Sequence, residues 1–523
     1  MNGKNATMKK IICLFLVSVI VALTCCGCSN SENTNHVGQP EAGEAKTDYS
    51  KITVGAYFTQ DKNPLANKTS YNEQMYFLMY DGLYHSNSRY EAVENLACGY
   101  EVQNSGYTVL IALKPNVYFH DGSELTAHDV RATIQYLLEN PGYYQHNVRN
   151  IQSVGVVDNH TVRLELSELT PNLKLQLTFP VICKKELLNS TDFQYNGTGP
   201  YRLSSETKGK QLILIPNENY HREFQSNIKE IEVSLIPDEN TARSLSASGI
   251  LDIFYSSFYE EGLKTVTKYE SNKYDYLSDE YTFIALNYNA PFLNDKSFRK
   301  ALYQAVSRDD IRDDIFMSHA ESTYLPLPPG SWAYNENKEN KRDIESAKLS
   351  LSALGFSDLD NNGILEIDEN GERKELLLTL LSTDDPIKME ICDMLIANFK
   401  EVGISLNVDY VPKEVFLQKY DEKTHDLYLI TTNVGYDMEL KPFFHGIFGT
   451  PLSIDYGAYL KKFAVSDELA VKQPEYMRLC DDFYENIPHI PLVFLKHTML
   501  TSSKLQPVTE VNPCYYYYEI LRK

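Results

Sequence analysis

Strand-like and helix-like segments alternate along this chain, and that alternation is what most constrains its fold. The strand-like segments are rich in Val, Ile, Leu and Tyr. They are Lys51–Phe58, Tyr107–Leu113, Thr161–Leu166, Gln211–Pro216, Ile228–Ile236, Leu376–Leu381, Ile404–Tyr410 and Asp426–Thr431. The segments with helical periodicity and helix-end signals are Ala127–Glu139, Glu239–Ser248, Asp295–Ser307, Asp343–Leu354, Pro386–Val402 and Pro474–Ile487. The mixture predicts an α/β fold.

The amino terminus predicts export and a lipid anchor. Lys9 and Lys10 precede an apolar run over residues 11–23, which has the length of a signal-peptide core and is too short for a permanent membrane span. The run ends in L-T-C-C-G-C-S-N (23–30), and a bacterial lipoprotein signal is cut before a cysteine that becomes diacylated. Cys28 is the first candidate and Cys26 the alternative. We therefore expect a signal peptide over 1–28 and a body on the extracellular side of the cell membrane.

Length and charge restrict the nature of the chain after the signal peptide. Residues 29–48 are polar and predict a flexible tether. The remaining body of roughly 475 residues exceeds one compact domain, so we expect two or three lobes. The 49 Lys+Arg against 71 Asp+Glu leave a net charge of −22, which argues against nucleic acid and anionic lipid surfaces as partners. The same charge is compatible with cationic or zwitterionic ligands.

Four short motifs occur in a fixed order within the body. They are D-G-L-Y (81–84), N-L-A (95–97), L-K-P-N-V-Y-F-H-D-G-S-E-L-T-A-H-D-V (113–130) and G-T-G-P-Y (197–201). In the third motif, Asp121-Gly122 favours a tight turn and Thr126 is a good helix N-cap. Asp129 would lie in the first helical turn, where a carboxylate complements the helix dipole.

The order and spacing of these motifs resemble the extracellular solute-binding proteins, family 5, of peptide/nickel-type (oligopeptide/dipeptide-type) ABC importers. The resemblance continues through I-L-I-P-N-E-N-Y (213–220), the segment 284–308 and N-I-P-H-I-P-L (486–492). It implies a two-lobed periplasmic-binding-protein-like α/β fold, class II and of the large cluster C type. It also implies a lobe I core of 49–80, 190–283 and 489–523, an extra subdomain over 81–189, and lobe II over 284–488. Two crossing strands near 283 and 488 would form the hinge.

The resemblance implies a monomeric carrier that closes on a solute and presents it to ABC transporter permease subunits. An oligopeptide is the first expectation for the solute. A nickel chelate, haem, a sugar or a peptide signal are the alternatives. An enzyme is not expected, because H-E-x-x-H, G-x-S-x-G and a recognisable nucleophilic cysteine are absent from the sequence. A secreted hydrolase is the competing class.

The resemblance also points to candidate ligand-binding residues. In peptide-binding relatives the ligand lies extended and an acidic residue of the second lobe holds its ammonium group. The matching stretch is G-Y-D-M-E-L-K-P-F-F (435–444), in which Asp437 and Glu439 are rival candidates. Tyr436 is the expected substitute for the tryptophan of relatives, because Trp332 is the sole tryptophan of this chain. The alternative is that both carboxylates are solvated loop residues.

A separate segment matches the calcium-loop pattern. Its ligands would be Asp358, Asp360, Asn362, the carbonyl of Ile364 and the terminal carboxylate of Glu369. A strand-like run comes directly after it, so the segment is not half of a two-helix switch. Two interpretations stay open, a structural calcium site and an acidic turn that holds no metal. No other cofactor is expected.

Overall fold

The computed structural model describes residues 50–59, 61–66, 69–140, 142–188, 193–256, 271–336, 342–369, 372–445, 454–509, 511–512 and 514–522. The predicted signal peptide, the tether, Cys26 and Cys28 lie outside these residues. Among the described helices, none is long and apolar enough to cross a membrane.

Strands and helices alternate through the described residues. The strands are β1 Lys51–Tyr57, β2 Tyr84–Ser86, β3 Ala92–Glu94, β4 Ala97–Gln103, β5 Thr108–Leu113, β6 Ile151–Asp158, β7 Thr161–Leu166, β8 Tyr201–Thr207, β9 Gln211–Pro216, β10 Glu230–Ile236, β11 Ile253–Ser256, β12 Ser271–Leu286, β13 Ala320–Ser322, β14 Glu366–Glu369, β15 Glu372–Glu375, β16 Leu377–Thr383, β17 Ser405–Val411, β18 Leu427–Asn433 and β19 Ile490–Ser502. The α-helices are Ser70–Met79, Ala127–Glu139, Gln145–Val148, Leu173–Gln176, Lys184–Leu188, Glu239–Ala247, Lys296–Ala305, Arg308–Asp310, Ile344–Ala353, Pro386–Glu401, Lys413–Asp421, Lys441–His445, Tyr456–Phe463, Leu469–Asn486 and Tyr516–Leu521. Short 3₁₀-helices cover Pro64–Ala66 and Asn104–Gly106, and a π-helix covers Ile311–Ile315.

Every strand and helix predicted from periodicity is present, most with bounds shifted by one or two residues. One helix differs more: Leu469–Asn486 begins before the predicted start at Pro474. Proline favours a first helical turn because it lacks an N–H donor, which is why the sequence predicted a later start. Here Lys472 and Tyr476 are both buried, and their packing keeps the turn before Pro474 helical.

Most strands belong to one sheet of 11 strands, in the order β17-β16-β18-β12-β19-β11-β1-β10-β9-β8, with β13 paired to β19. The two longest strands, β12 and β19, lie side by side in its middle and pair antiparallel from Ser271↔Ser502 to Ile284↔Ile490. A separate sheet has the order β4-β5-β7-β6. The pair β12–β19 therefore joins the two halves of the large sheet.

Strand β12 carries a bulge at its centre. Leu277 pairs with Lys496 and Tyr281 pairs with Phe494, so residues 278–280 stand opposite a single residue of β19, Leu495. The Ser278 hydroxyl donates to the Leu495 carbonyl at 2.8 Å and fixes the irregularity. Bulges redirect side chains and bend the strand that carries them. This one places two acidic residues, Asp279 and Glu280, on a cavity beside the strand pair.

Three apolar clusters make up most of the interior. The first spans β1, the four-stranded sheet and the C-terminal helix, and so includes residues of both the predicted lobe I core and its extra subdomain. The second packs between 284 and 493. The third surrounds Trp332 and Phe443 and also takes in Tyr90 and Leu175 of the predicted subdomain. The described residues form one compact unit, and the lobe boundaries within it stay a prediction.

The sequence motifs meet at one buried carboxylate, that of Asp81. Asn95 of the N-L-A motif and Thr198 of the G-T-G-P-Y motif donate to it at 3.0 and 2.9 Å. Tyr220 and His221, at the end of the 213–220 motif, each lie 3.1 Å from it. Burial opposes ionisation of Asp81, but the hydrogen bonds from His221 and His85 prevail and hold its pKa well below the ordinary 3.8. The motifs at 81–84, 95–97, 197–201 and 213–220 thus meet at a single anion.

The glycines of G-T-G-P-Y are required by a close backbone approach. A Cβ atom at Gly197 would lie 1.9 Å from the Met79 carbonyl oxygen, and one at Gly199 would lie 2.5 Å from the Met79 carbonyl carbon. Because the obstacle is backbone, a side chain at either position forces the two segments apart. This approach is what brings Thr198 to Asp81.

We expect Asp81→Asn to destabilise the protein by about 3 kcal/mol, because it replaces a buried anion surrounded by donors with an amide that itself presents donors. Urea unfolding of the purified protein measures the change. Asp238→Asn is the matched control, since Asp238 is an exposed N-cap that accepts from the Thr241 N–H and asparagine caps equally well.

The pH dependence of this difference has a fixed sign. The pKa of Asp81 is lowered by folding, so its contribution is complete above the ordinary value and is lost only as pH falls through the folded value. The gap between parent and Asp81→Asn should persist at neutral pH and shrink in strong acid. Equal stability of parent and variant at pH 7 would contradict the central role of Asp81.

Candidate ligand-binding site

A cavity of about 1090 Å³ lies beside the middle of β12 and β19, where the two halves of the sheet join. Its lining includes residues of helix Ser70–Met79, the segments 143–150 and 168–178, the bulge of β12, the loop 433–442 and the C-terminal segment around Tyr515. A concave site at a junction between sheet halves is where solute sites are commonly built. Its lining residues are far apart in the sequence, so the site exists only in the folded chain.

The three ligand-binding residues predicted from the sequence, Tyr436, Asp437 and Glu439, all line this cavity. They come after β18 in a loop that needs a positive φ at Gly435 (+84°) and at Met438 (+50°). Tyr436 stacks on Tyr90, with ring centroids 5.7 Å apart and an interplanar angle of 26°. The structure therefore brings the predicted residues together at one wall.

Asp437 is held by residues of the predicted subdomain. Its Oδ2 accepts from Arg149 Nη2 and from Gln176 Nε2, each at 2.9 Å. Asn172 Nδ2 donates to the Asp437 carbonyl at 2.8 Å. Arg149 lies 288 positions before Asp437, and nothing in the sequence pattern associated the two. The Asp437 carboxylate is therefore buried and paired with Arg149.

Glu439 is buried beside Asp437. Its Oε1 accepts from the Tyr456 hydroxyl at 2.8 Å and from the Lys441 N–H at 2.9 Å, while Oε2 lies 3.9 Å from Arg149 Nη2. Burial first, and the charge of Asp437 second, raise the pKa of Glu439. Arg149 thus faces two carboxylates and can neutralise one of them.

Two further carboxylates of the cavity, Glu73 and Asp279, were missed by the sequence analysis. Glu73 Oε1 and Oε2 accept from the Tyr144 and Tyr143 hydroxyls at 2.8 and 3.3 Å. Burial raises the pKa of Glu73 to about 7, with a smaller contribution from the charge of Asp279. Asp279 Oδ1 accepts from Asn433 Nδ2 at 2.8 Å, and burial raises its pKa as well.

The cavity is strongly acidic as a whole. Among its described lining residues, seven carboxylates face two cationic side chains, Arg149 and Lys441. The carboxylates belong to Glu73, Glu168, Glu239, Asp279, Glu280, Asp437 and Glu439. Two histidines also line the cavity. Burial lowers the pKa of His146, and His497 Nε2 lies 3.4 Å from Glu280 Oε1. Such a site favours a ligand with positive charge.

Aromatic rings supply much of the remaining lining. They belong to Tyr57, Phe77, Tyr143, Tyr255, Tyr276, Tyr436 and Tyr515. Trp332 instead supports the wall from behind: its indole Nε1 donates to the Tyr90 carbonyl at 3.0 Å, and Tyr90 carries Tyr436. Tyr436 thus lines the cavity and Trp332 does not, while the equivalence of Tyr436 to the tryptophan of relatives stays a prediction.

The predicted calcium loop folds into a compact acidic turn away from the cavity lining. Oxygen ligands of Asp358, Asp360 and Glu366 all lie within 4.8 Å of one another. Asn362 is adjacent, with its side-chain amide donating to Asp360 at 3.2 Å. The backbone of Glu369 pairs with Glu372 in the β14–β15 hairpin, while its side chain lies outside the described part of the chain.

The side-chain oxygens of the same turn also accept hydrogen bonds from its own backbone N–H groups. Asp358 accepts from the N–H groups of Asn362 and Gly363 at 3.1 and 3.0 Å, and the Ile364 N–H donates to Asn362 at 2.7 Å. Glu366 was not among the predicted ligands; it enters because the hairpin folds it back, and it accepts from the Leu359 N–H at 2.6 Å. Both interpretations of the segment stay open.

Comparison with protein families places this chain. The family described as "Bacterial extracellular solute-binding proteins, family 5 Middle" matches residues 91–450. Oligopeptide-binding protein AppA of Bacillus subtilis is 23% identical over 437 residues, covering 80% of this chain and 79% of AppA. Heme-binding protein A of Haemophilus influenzae is 23% identical over 436 residues, covering 76% and 77% of the two chains.

Solved structures show the same fold. AppA from Bacillus subtilis in complex with a nonapeptide has a TM-score of 0.59 at 20% identity, over 90% of this chain and 98% of that one. NikZ from Campylobacter jejuni in complex with Ni(L-His) has a TM-score of 0.61 at 21% identity, over the same shares. The two-lobed α/β fold predicted from the sequence is confirmed.

Proposed function

Because this chain belongs to the bacterial extracellular solute-binding proteins of family 5, we propose that its cavity captures an oligopeptide outside the cell for an ABC importer. The family itself is the solute-binding, non-catalytic component of such importers. The observation that carries the peptide proposal is the cavity of about 1090 Å³, which is large for a single small solute and is lined by both charged and aromatic side chains. AppA, which binds oligopeptides, supports the same choice.

Other cargoes are the alternatives to a peptide. A nickel chelate, haem, a sugar or a peptide signal would use the same fold, and Heme-binding protein A and NikZ with Ni(L-His) are among the similar proteins. A secreted hydrolase is the weaker alternative. Saturable binding of one peptide per protein without product formation separates a carrier from an enzyme.

The proposed contact for the peptide N-terminus is the group formed by Asp437, Glu439 and Arg149. Two carboxylates and one guanidinium leave one net negative charge when all three are ionised, and an added ammonium would neutralise it. The raised pKa of Glu439 reflects burial and the neighbouring charge of Asp437, both of which a bound cation would offset. Tyr436 would supply the adjacent apolar wall.

Asp437→Asn and Glu439→Gln keep side-chain shape and remove charge, so at least one should weaken binding of a free-amine peptide by tens- to thousands-fold. That range corresponds to about 2–5 kcal/mol for a truncated, desolvated charge pair. Acetylating the peptide N-terminus should cause a similar loss in the parent protein, measured by calorimetry.

Two comparisons sharpen this test. Once the responsible carboxylate is neutral, acetylation should weaken binding little further, because both changes remove the same interaction. Asp455→Asn is the matched control, since Asp455 caps helix Tyr456–Phe463 at an exposed position and does not line the cavity. Equal affinity for free and acetylated peptides in the parent would reject the ammonium contact and leave the carrier function standing.

Capture is proposed to occur by closure about β12 and β19. Residues from 81–189 and 284–488 meet at the cavity, where Arg149 pairs with Asp437, and behind its wall, where the Trp332 indole donates to the Tyr90 carbonyl. Each pair would separate if the two sides of the cavity rotated apart on the paired strands. A ligand that bridges both sides would favour the closed arrangement.

Trp332 should report this movement, because it is only 3% exposed and its indole N–H donates to the Tyr90 carbonyl. Arg149→Gln removes the ion pair with Asp437, so in ligand-free protein we expect redder indole emission and stronger acrylamide quenching than in the parent. Arg163→Gln is the matched control, as Arg163 is exposed on β7 and pairs with Glu165. Identical quenching of Arg149→Gln and parent would argue against an opening that this ion pair restrains.

The proposed location is the outer face of the cell membrane, with the protein held there as a monomer by a lipid on Cys28 or Cys26. The tether over 29–48 would keep the folded body free to approach its permease. The support for this part is the amino-terminal sequence alone.

The turn over 358–369 is proposed to hold a structural calcium ion. The support is the clustering of Asp358, Asp360 and Glu366 oxygens within 4.8 Å, beside the amide oxygen of Asn362. Oxygen-only donor sets of this kind suit calcium. Glu369 and the carbonyl of Ile364 would complete the proposed set.

Calcium should raise the melting temperature of the parent relative to the same protein in EDTA, since an ion that binds only the folded state stabilises it by about 2.7 kcal/mol at a hundred times its Kd. Asp360→Asn should abolish this rise, while the exposed Asp384→Asn should keep it. A melting temperature that does not respond to calcium in the parent would establish the acidic turn without metal.

A further inference from the structure

The carboxylates of the cavity differ in whether the protein supplies them with a cation. Asp437 and Glu439 share Arg149, and Glu168 pairs with Lys441 at 2.6 Å. Glu239 lies 3.5 Å from Arg243, and Glu280 lies 3.4 Å from His497. For Glu73 and Asp279, the partners found within the described part of the chain are uncharged. Glu73 and Asp279 are therefore the lining carboxylates for which the described residues provide no ion pair with Lys, Arg or His.

Glu73 is arranged as an acceptor. Each of its two oxygens receives a hydroxyl, from Tyr144 at 2.8 Å and from Tyr143 at 3.3 Å. Two donors directed at one carboxyl group suit the ionised form, which only accepts hydrogen bonds. Yet burial opposes ionisation strongly enough to bring the pKa of Glu73 to about 7. A nearby cation would resolve this conflict.

Asp279 reaches the cavity because of the β12 bulge. Its carbonyl accepts from the Val434 N–H at 2.9 Å and its carboxylate from Asn433 at 2.8 Å, so its position is set by β12 and by the end of β18. The negative charge of Asp279 contributes to the raised pKa of Glu73. The two carboxylates thus line the same cavity, and a cation bound between like charges relieves their repulsion.

The walls around them are suited to an organic cation. Tyr143, Tyr436 and Tyr515 line the cavity, and Phe77 packs on Tyr515 with ring centroids 4.5 Å apart. Ring faces attract ammonium and guanidinium groups, and they accommodate the aliphatic stem of a long side chain. A small inorganic ion lacks the aliphatic stem that could pack on such walls.

We infer that the captured solute is a short peptide with a basic side chain, and that the carboxylates of Glu73 and Asp279 hold the cationic end of that side chain. This inference rests on the proposed function and concerns a contact separate from Asp437 and Glu439. It names the class of substrate that the cavity selects: peptides with lysine or arginine in preference to neutral ones of the same size.

Binding should then be linked to proton release. The groups that face Glu73 are Tyr143, Tyr144 and His146 on one side, Asp279 on another, and Cys514 and Tyr515 on the C-terminal segment. Burial raises the pKa of each of these tyrosines and of Cys514, so they stay protonated near neutral pH. Burial lowers the pKa of His146, which leaves it uncharged. Glu73 is the group that loses its proton when the cation arrives, so affinity for a basic peptide should rise with pH through about 7.

The test uses calorimetry on the purified full-length chain with two matched sets of trialanine-based peptides. One set carries lysine at the first, second or third position, and the other carries norleucine, which keeps the aliphatic stem without the charge. The parent should bind the best lysine peptide on the order of ten- to hundred-fold more tightly than its norleucine partner. At pH 7 the heat of binding should vary more steeply with the ionisation enthalpy of the buffer for a lysine peptide than for its norleucine partner, because the proton linkage at the peptide N-terminus is common to both.

Glu73→Gln and Asp279→Asn should each reduce the lysine-to-norleucine preference about tenfold or more, with norleucine affinity retained as proof of an intact cavity. Glu230→Gln and Asp158→Asn are matched controls. Both residues lie on strands outside the cavity, and each substitution removes one negative charge, as the cavity variants do. Both controls should keep the preference of the parent.

The outcomes separate this inference from the proposed function. Equal affinity of the parent for lysine and norleucine peptides, or a preference that survives in both cavity variants, overturns the inference and leaves peptide capture intact. If no peptide binds, the peptide proposal fails, and spermidine becomes the probe. Saturable spermidine binding that Glu73→Gln and Asp279→Asn abolish then upholds the cation contact, and its absence rejects it.

Discussion

The antiparallel pairing of β12 with β19 is the constraint on which the rest of this structure depends. Among the described strands, these two connect the halves of the large sheet, so the halves are related through their register. A regular ladder along their whole length would leave the centre of β12 flat. The bulge at 278–280 bends it and directs Asp279 and Glu280 to the cavity. One backbone irregularity therefore bends the junction and also places two acidic side chains on the cavity.

Asp81 holds together distant segments in the first half of the molecule, as the β12–β19 pair holds together the two halves of the large sheet. A buried carboxylate needs donors on every side, and it obtains them from segments more than a hundred residues apart, through Asn95, Thr198, Tyr220 and His221. Leaving any donor out would expose the anion to an apolar interior at a cost of several kcal/mol. That requirement explains why the motifs occur together, although none of them touches the proposed ligand.

The cavity combines two electrostatic environments. On one wall, Arg149 compensates Asp437 and approaches Glu439, so charge is nearly balanced and the two sides of the cavity are drawn together. Elsewhere in the lining, Glu73 and Asp279 have hydrogen-bond donors that are uncharged throughout the described residues. Under the proposed carrier function, the first arrangement would stabilise a closed cavity and the second would make that cavity incomplete without a positively charged guest.

The amino-acid sequence by itself determined the strands and helices, the turn and cap around Thr126, and the loop that carries Tyr436, Asp437 and Glu439. These come from local periodicity, local sterics and a family resemblance, all of which can be read along the chain. Tertiary structure alone decided that Arg149 pairs with Asp437, that Glu366 joins the acidic turn, and that Glu73 and Asp279 share a cavity. Glu73 in a first helical turn and Asp279 in a strand are ordinary in sequence. Their significance arises from burial and from uncharged neighbours, and both are properties of three-dimensional proximity that no local pattern encodes.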